Sequence, residues 1–315
     1  MRALVTGGAG FIGSHLVDAL LERGDEVEIL DDLSTGRREN LSGALEAGAR
    51  LIEADVSDET SVAGTIESRP PDVVFHLAGQ IDVRVSVSDP FFDARVNVGG
   101  TINVLDAARQ AGTRRVVLAS TGGAIYGEGD WRNPPLDETA EVLPDAPYGQ
   151  SKYAGEGYLS LYHRLYELST ISLRLGNVYG PRQDPLGEAG VVAIFCGALL
   201  DGRTPRVFGD GQQTRDYVYV GDIVEAMLTA GDADAVGTFN VGTGVETSVL
   251  DLGRMIGEAC DRPFEPEMAP PRPGEVQRIA IESSKAEREL GWKATTSLED
   301  GLRRTAEAFA RAQTD

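Results

Sequence analysis

The chain has 315 residues, a formal net charge of −21, 41% hydrophobic and 25% charged residues. That composition supports a sizeable buried core and excludes wholesale disorder or a fibrous repeat. So acidic a balance lacks the basic footprint of a nucleic-acid binder and argues against an anionic membrane surface as partner. A small phosphorylated ligand stays compatible, because a local arginine cluster can outweigh the global sign.

In chain order, short β-branched runs at Ala3–Thr6, Val27–Leu30, Leu51–Ala54, Val73–His76, Val116–Ala119 and Ile171–Leu175 alternate with helical stretches. The helices are expected at Ser14–Arg23, Asp58–Ser68, Phe91–Ala111 and Tyr148–Leu168. Strands alternating with helices mean βαβ units. The runs are predominantly apolar, as strands of a sheet covered on both faces should be. The fold class is therefore α/β, a Rossmann-like doubly wound parallel sheet, with residues 1–175 as a dinucleotide-binding domain. Beyond 176, proline and glycine cluster at Gly180–Pro181, Pro185–Gly187, Gly209–Gly211 and Pro270–Gly274. Residues 176–315 read as a smaller mixed α/β region interleaved with the first. It should hold a hairpin around Arg206–Phe208 and Asp216–Tyr219, then helices near Gly221–Ala230, Val249–Ala259, Ser283–Leu290 and Leu298–Ala310. The apolar run at 190–200 is too short to span a bilayer, and the opening MRALVTGG carries no leader pattern. The expectation is a cytoplasmic protein without a membrane partner. The two cysteines, Cys196 and Cys260, rule out a disulfide framework, and no histidine spacing matches a ligand set, so no metal is expected.

The segment TGGAGFIG places Gly7, Gly10 and Gly13 between a strand and a helix, with Phe11 and Ile12 at the helix start. Glycines there allow a tight turn and let backbone N–H groups approach a pyrophosphate, to which the helix N-terminus adds partial positive charge. Asp31 ends the second strand, 18 residues after Gly13. A carboxylate at that place accepts from both hydroxyls of an adenine ribose and repels a 2′-phosphate, which favours NAD over NADP. Asp55 and Val56 after the third strand suit an adenine ring. Leu77, Ala78 and Gly79 after the fourth leave room for a cofactor along the backbone.

Tyr148 and Lys152 sit four apart on one face of an expected helix. A nearby ammonium favours phenolate and lowers the tyrosine pKa. Lysine is scarce here, occurring only at 152, 285 and 293. Ser120 and Thr121 end the fifth strand, where a hydroxyl can share a substrate proton. A turn-capping role is the plainer alternative for such a residue.

These segments, with HLAG at 76–79, YGQSK at 148–152, RLGNVYGPRQ at 174–183, TRDYVYVGD at 214–222 and RPGE at 272–275, resemble the extended short-chain dehydrogenase/reductase family, and most closely its nucleotide-sugar 4-epimerases. The resemblance implies an NAD-dependent isomerase acting at C4 of a UDP-hexose, with Tyr148 as acid/base, Lys152 on the nicotinamide ribose, and Thr121 or Ser120 as the third group. It places Asn97 near the cofactor. It assigns Asn177, Arg215 and Arg272 to the diphosphate or its sugars, Phe208 to the uracil face, Glu275 to a ribose hydroxyl, and Val192 and Ile279 to the substrate pocket. An isoleucine at 279, where relatives vary the residue beside the sugar's 2-substituent, would admit N-acetylhexosamines. The resemblance also implies a homodimer, built from the helices at 91–111 and 148–168.

Three rivals stand beside this reading. A dehydratase or decarboxylase needs an acid beside the active hydroxyl, whereas Thr121 is followed by Gly122, Gly123 and Ala124. A uronic-acid epimerase needs a cation for the carboxylate. Arg182 could serve, but Asp184 and Glu188 lie close to it in sequence. A non-catalytic NAD-binding protein would not need the Tyr–Lys pair.

Overall fold

The computed structural model describes residues 1–127, 134–185, 190–271 and 276–313. Six strands follow one another as β1 (Arg2–Thr6), β2 (Glu26–Asp31), β3 (Arg50–Glu53), β4 (Val73–His76), β5 (Arg115–Thr121) and β6 (Ser169–Leu175). A seventh, Gly237–Val241, completes the sheet, whose order is Gly237–Val241, β6, β5, β4, β1, β2, β3. Every pairing in it is parallel. β1 lies between β2 and β4, so the chain winds one way as far as β3 and then the other. The gap between the loops after β1 and β4 is the topological switch point, where such sheets bind ligands.

Helices cover both faces. On one, Leu16, Val17 and Leu20 of the helix Phe11–Glu22 share a core with Ile223, Val224 and Met227 of the helix Val220–Asp232. On the other, Val62, Ile66, Val104, Leu105 and Leu159 pack from the helices Glu59–Ser68, Gly100–Gln110 and Pro147–Tyr166. The helix expected at 91–111 is interrupted. It runs as Pro90–Ala94, a wider π turn at Arg95–Gly99, then Gly100–Gln110. Such π turns recur at functional sites, and this one carries Asn97.

A third core belongs to the smaller region. It gathers Phe195, Cys196, Leu252, Ile256, Cys260 and Leu302 around the helices Val191–Leu200, Val249–Ala259 and Leu298–Ala312. Both cysteines are free and buried. No helix among the described residues is long and apolar enough to cross a membrane. The expected hairpin is not formed. Arg206–Phe208 pairs in parallel with Glu267–Ala269, and Tyr217–Tyr219 with Asn177–Tyr179. The turn at Gly209 and Gly211 looked like hairpin punctuation, but each strand had a distant partner that local sequence does not reveal.

The sheet is locked on its β6 side by a buried polar network. Arg174 of β6 and Glu156 of the helix Pro147–Tyr166 form an ion pair at 2.7 Å, with side chains 6% and 4% exposed. Ser120 of β5 donates to the same carboxylate at 2.6 Å. Arg174 donates to the Tyr126 hydroxyl at 2.9 Å, and that hydroxyl donates to Asn240 Oδ1 at 2.8 Å. Removing one partner would strand a charge out of water. Glu156→Ala is expected to lower the unfolding free energy by about 3–5 kcal/mol. Urea denaturation measures this, and a loss below about 1 kcal/mol, the level of an exposed pair, would contradict it.

Candidate active site

The loop after β1 is built on glycine where geometry demands it. Gly7 has φ +71°, and a Cβ added there would lie 2.6 Å from the Ala78 nitrogen, so this loop and the Leu77–Ala78 backbone touch. A Cβ at Gly13 would lie 2.1 Å from the Gly7 carbonyl oxygen. Only glycine at both positions lets the helix start directly under the turn. Gly10 is the N-cap and makes no side-chain cap, and the first turn, which holds Phe11 and Ile12, has no acidic residue. Its N–H groups therefore suit an anion.

Asp31 closes this loop from the end of β2. Its carboxylate accepts from Ala9 N and Leu33 N, both at 2.9 Å. Burial raises its pKa, and those two N–H donors oppose the rise. Each oxygen keeps a lone pair for a further donor, such as a ribose hydroxyl. Asp55 accepts from Ser57 N at 2.7 Å in a tight turn. Val56 is buried against Gly100, and its carbonyl accepts from Asn103.

Across the switch point, Lys152 is 5% exposed and its Nζ donates to the Ala119 carbonyl at 3.1 Å. Burial brings its pKa down to about 8, against the charges of Asp93 and Glu156. Tyr148 behaves differently from expectation. Burial pushes its phenol up to about 12; Thr121, as a hydrogen-bonding partner, pulls it down, and the charge of Asp93 pushes it up. In the protein alone, desolvation outweighs any help from the lysine.

The two hydroxyls at the end of β5 point to opposite sides, as neighbours on a strand must. Ser120 is committed to Glu156. Thr121 faces Tyr148 and accepts from Ala124 N at 3.2 Å. The structure thus separates a pair that the sequence left open.

Asn97 is 3% exposed, and both its amide hydrogens are used, on the Gln80 carbonyl at 2.9 Å and on Asp93 Oδ1 at 3.0 Å. Its Oδ1 is buried without a partner. A Cβ at Gly79 would lie 2.7 Å from that oxygen and 3.1 Å from Lys152 Nζ. An acceptor and an ammonium donor bracket one small space, which fits a hydroxyl that both donates and accepts. The Asn177 Oδ1 is likewise buried and unpartnered, 3.5 Å from where a Cβ of Gly123 would stand. Together with the glycine loop and Asp31, these groups fit a dinucleotide lying across the switch point.

Arg215 is half-buried beside Thr214, to whose carbonyl it donates at 2.8 Å. Asp216 accepts from Thr243, Gly244 and Ile281, and Asp222 from Thr295 and Thr296. Phe208 is half-buried at a strand end. Val192 and Ile279 are each 1% exposed. Both side chains are packed against protein. Arg272 and Glu275 lie outside the described residues. Among those described, no group of His, Cys, Asp or Glu could hold a metal ion. Sequence reasoning missed Asp93, Gln80 and His76. The spacing of Asp93 and Asn97, four apart in one helical stretch, was the available signal for the first.

Sheet order, glycine turn and Tyr–Lys helix together define a dinucleotide-dependent short-chain dehydrogenase/reductase of the extended type. The chain belongs to the GDP-mannose 4,6 dehydratase family, whose model matches residues 4–305. It is 50% identical over 314 residues to a UDP-glucose 4-epimerase of Mycolicibacterium smegmatis, covering 98% of each chain. Its structure is similar to that of a UDP-glucose 4-epimerase from Thermotoga maritima with UDP-glucose, at a TM-score of 0.96 and 44% identity over 99% of this chain and 100% of that one. A Thermus thermophilus UDP-glucose 4-epimerase in complex with NAD matches at a TM-score of 0.92 and 44% identity, over 98% and 99%.

His76 lies beneath the site. Thr101 donates to the Asn97 carbonyl at 2.6 Å, so its oxygen accepts from His76 Nε2 at 3.1 Å. Nδ1 then accepts from Thr6 Oγ1 at 2.7 Å, and Thr6 in turn accepts from Ala78 N at 3.2 Å. This chain holds a neutral imidazole, and burial, aided by the Lys152 charge, lowers its pKa to about 3. The unfolded chain takes up a proton near pH 6.5 that the folded protein refuses until about pH 3. Stability contributed here is therefore lost as pH falls through that interval. His76→Gln is expected to flatten the acid-side decline of the urea midpoint between about pH 7 and pH 4. An unchanged slope would argue against a neutral buried His76.

Proposed function

We propose that the protein interconverts the C4 epimers of a UDP-hexose, UDP-glucose and UDP-galactose, using bound NAD. One observation carries the choice within the family. Thr121 faces Tyr148, and the residues after it carry no acid. At Gly122 a Cβ would lie 2.5 Å from the Ile281 Cδ1, so no side chain fits there without repacking. The acids that elimination or decarboxylation require are absent from that segment, and near-half identity to 4-epimerases over almost the full length agrees. The uronic-acid alternative loses its cation, because Arg182 is paired with Asp18 at 2.7 Å.

The residues divide the work as follows. Gly7, Gly10, Gly13 and the first turn of the helix Phe11–Glu22 take the pyrophosphate, and Asp31 the adenine ribose. Asp55, Val56 and the Leu77–Gly79 backbone line the rest of the cofactor path. Lys152 and Asn97 hold the nicotinamide ribose. The chemistry that bound NAD would supply there is hydride acceptance from, and return to, C4. Tyr148 accepts the proton of the 4-hydroxyl and later returns it, while the Thr121 hydroxyl stays hydrogen-bonded to the reacting oxygen. Burial keeps the phenol protonated in the empty site; with NAD bound, the positive nicotinamide ring and the Lys152 ammonium would favour release of that proton to solvent, leaving a phenolate to take the one from the 4-hydroxyl. Asn177, Arg215 and Arg272 hold the diphosphate, with Phe208 against uracil and Glu275 on a ribose hydroxyl. The 4-keto sugar turns about its diphosphate linkage before the hydride returns.

The protein works as a cytoplasmic homodimer in this reading. Free, buried thiols fit a reducing compartment. Phe91 and Tyr153, exposed at 79% and 42%, are apolar residues on the helices expected to pair, and Val87, at 63%, lies on the short helix Val83–Ser88 just before them. Phe91→Arg is expected to convert a dimer to a monomer in analytical ultracentrifugation. A monomeric parent protein would refute the pairing.

The direct test is a proton NMR time course with purified protein and UDP-galactose, first without and then with added NAD. UDP-glucose should appear, and the same run with UDP-N-acetylgalactosamine shows whether N-acetyl sugars are admitted. Tyr148→Phe should keep NAD and lose about 10²–10⁴-fold in turnover. No conversion in either run, or a Tyr148→Phe rate near that of the parent, would overturn the assignment.

A further inference from the structure

Asp93 is fully buried on the short helix Pro90–Ala94, and its carboxylate is held by three neutral donors. Its Oδ2 accepts from the Ser151 hydroxyl at 2.5 Å, and its Oδ1 accepts from Gln80 Nε2 at 2.9 Å and Asn97 Nδ2 at 3.0 Å. A carboxylate is acceptor-only, so whatever faces it must present hydrogens. An amide can otherwise lie either way round. With its amino group turned to Asp93 and the Gln80 carbonyl, Asn97 has one orientation left, and its Oδ1 must look the other way. That is the oxygen found without a partner beside the Gly79 backbone and Lys152 Nζ. Ser151 immediately precedes Lys152 and lies one helical turn after Tyr148. The same carboxylate therefore also pins the helix that carries both residues.

We propose that Asp93 is the positioning residue of this site, aiming the Asn97 carbonyl at a cofactor ribose hydroxyl and anchoring the Tyr148–Lys152 helix through Ser151. The inference deepens the reading of the site given above and rests on it. Burying a carboxylate is costly unless its lone pairs are filled, and three converging donors fill them here. Gln80 belongs to the same device, since its carbonyl takes the second Asn97 hydrogen while its side chain donates to Asp93.

The test compares the intact protein with Asp93→Leu, Asp93→Asn and Asn97→Leu. For each, NAD affinity is titrated on nucleotide-stripped protein, kcat and KM for UDP-galactose are measured, and thermal melting is recorded. In Asp93→Leu the donors lose their acceptor and the Asn97 amide is free to turn. NAD should bind about tenfold more weakly or worse, with kcat falling more than KM changes. In Asp93→Asn the new carbonyl still accepts from Asn97 and Gln80, while its amino group can donate to the Ser151 hydroxyl, so most of both losses should be recovered. Asn97→Leu deletes the aimed oxygen and should reproduce the weaker NAD binding, which keeps the test decisive if Asp93→Leu does not fold. Parent-like NAD affinity in either leucine variant would overturn the proposal. So would equal loss of NAD affinity and melting temperature in Asp93→Asn and Asp93→Leu, the mark of a merely structural role. A parent protein that binds NAD yet leaves UDP-galactose unchanged would remove the proposed reaction, while the NAD titrations would still decide the role of Asp93.

Discussion

Two loops leave the middle of the sheet in opposite directions, and they meet over its edge only because Gly7 has no side chain. Any Cβ there would strike the backbone of Leu77 and Ala78. The contact fixes the distance between the end of β1, with its glycine turn, and the end of β4, with Gly79, Lys152 and Asn97 alongside. His76 and Thr6 sit just below and join the same two strands by hydrogen bonds. A ligand spanning the switch point therefore meets donors and acceptors whose spacing is set by backbone contact, the stiffest ruler a protein has.

The electrostatics follow from that enclosure. The protein carries a large negative charge overall, yet three titratable groups at the centre of the site are held neutral or positive. His76 is kept uncharged, Tyr148 is kept as a phenol, and Lys152 has its proton loosened by burial but retained with help from Asp93 and Glu156. Desolvation sets each direction, and the buried carboxylates correct the lysine. An empty site with a protonated phenol holds no nucleophilic oxygen ready for unwanted proton transfer.

Much of the sheet was legible in the sequence, for a physical reason. Strands buried on both faces are mostly apolar, so β1 to β6 stand out within two residues of their observed ends even though β2 carries Glu28 and β6 Arg174. The seventh strand did not. Gly237–Val241 contains Asn240, which is fully buried because Tyr126 and the Leu136 carbonyl satisfy its amide, and a polar residue there disguises a core strand. The helix Val191–Leu200 was equally hidden, because a helix buried nearly all round has no polar face to give it a period. At the site, Gly7, Asp31, Tyr148 and Lys152 could be read from spacing. The separation of Ser120 from Thr121 depends on which face of β5 meets Glu156, and the role of Asp93 on which way an amide lies. Neither is written in local sequence.

The glycines after Thr121 bear on why one scaffold yields different reactions. Elimination needs an acid beside the reacting hydroxyl, and such an acid would also grip the sugar. Here Gly122 is pressed against Ile281 and Gly123 borders Asn177, so the floor next to Thr121 is bare backbone. In the proposed reading, a ring held through its diphosphate, and by few groups at C4, is free to turn over. Inverting a stereocentre requires that freedom, because the hydride must leave one face and return to the other while the cofactor stays still. The same absence that removes the dehydratase's catalyst thus supplies the epimerase's room, and the choice between the two reactions is made by side chains the chain does not have.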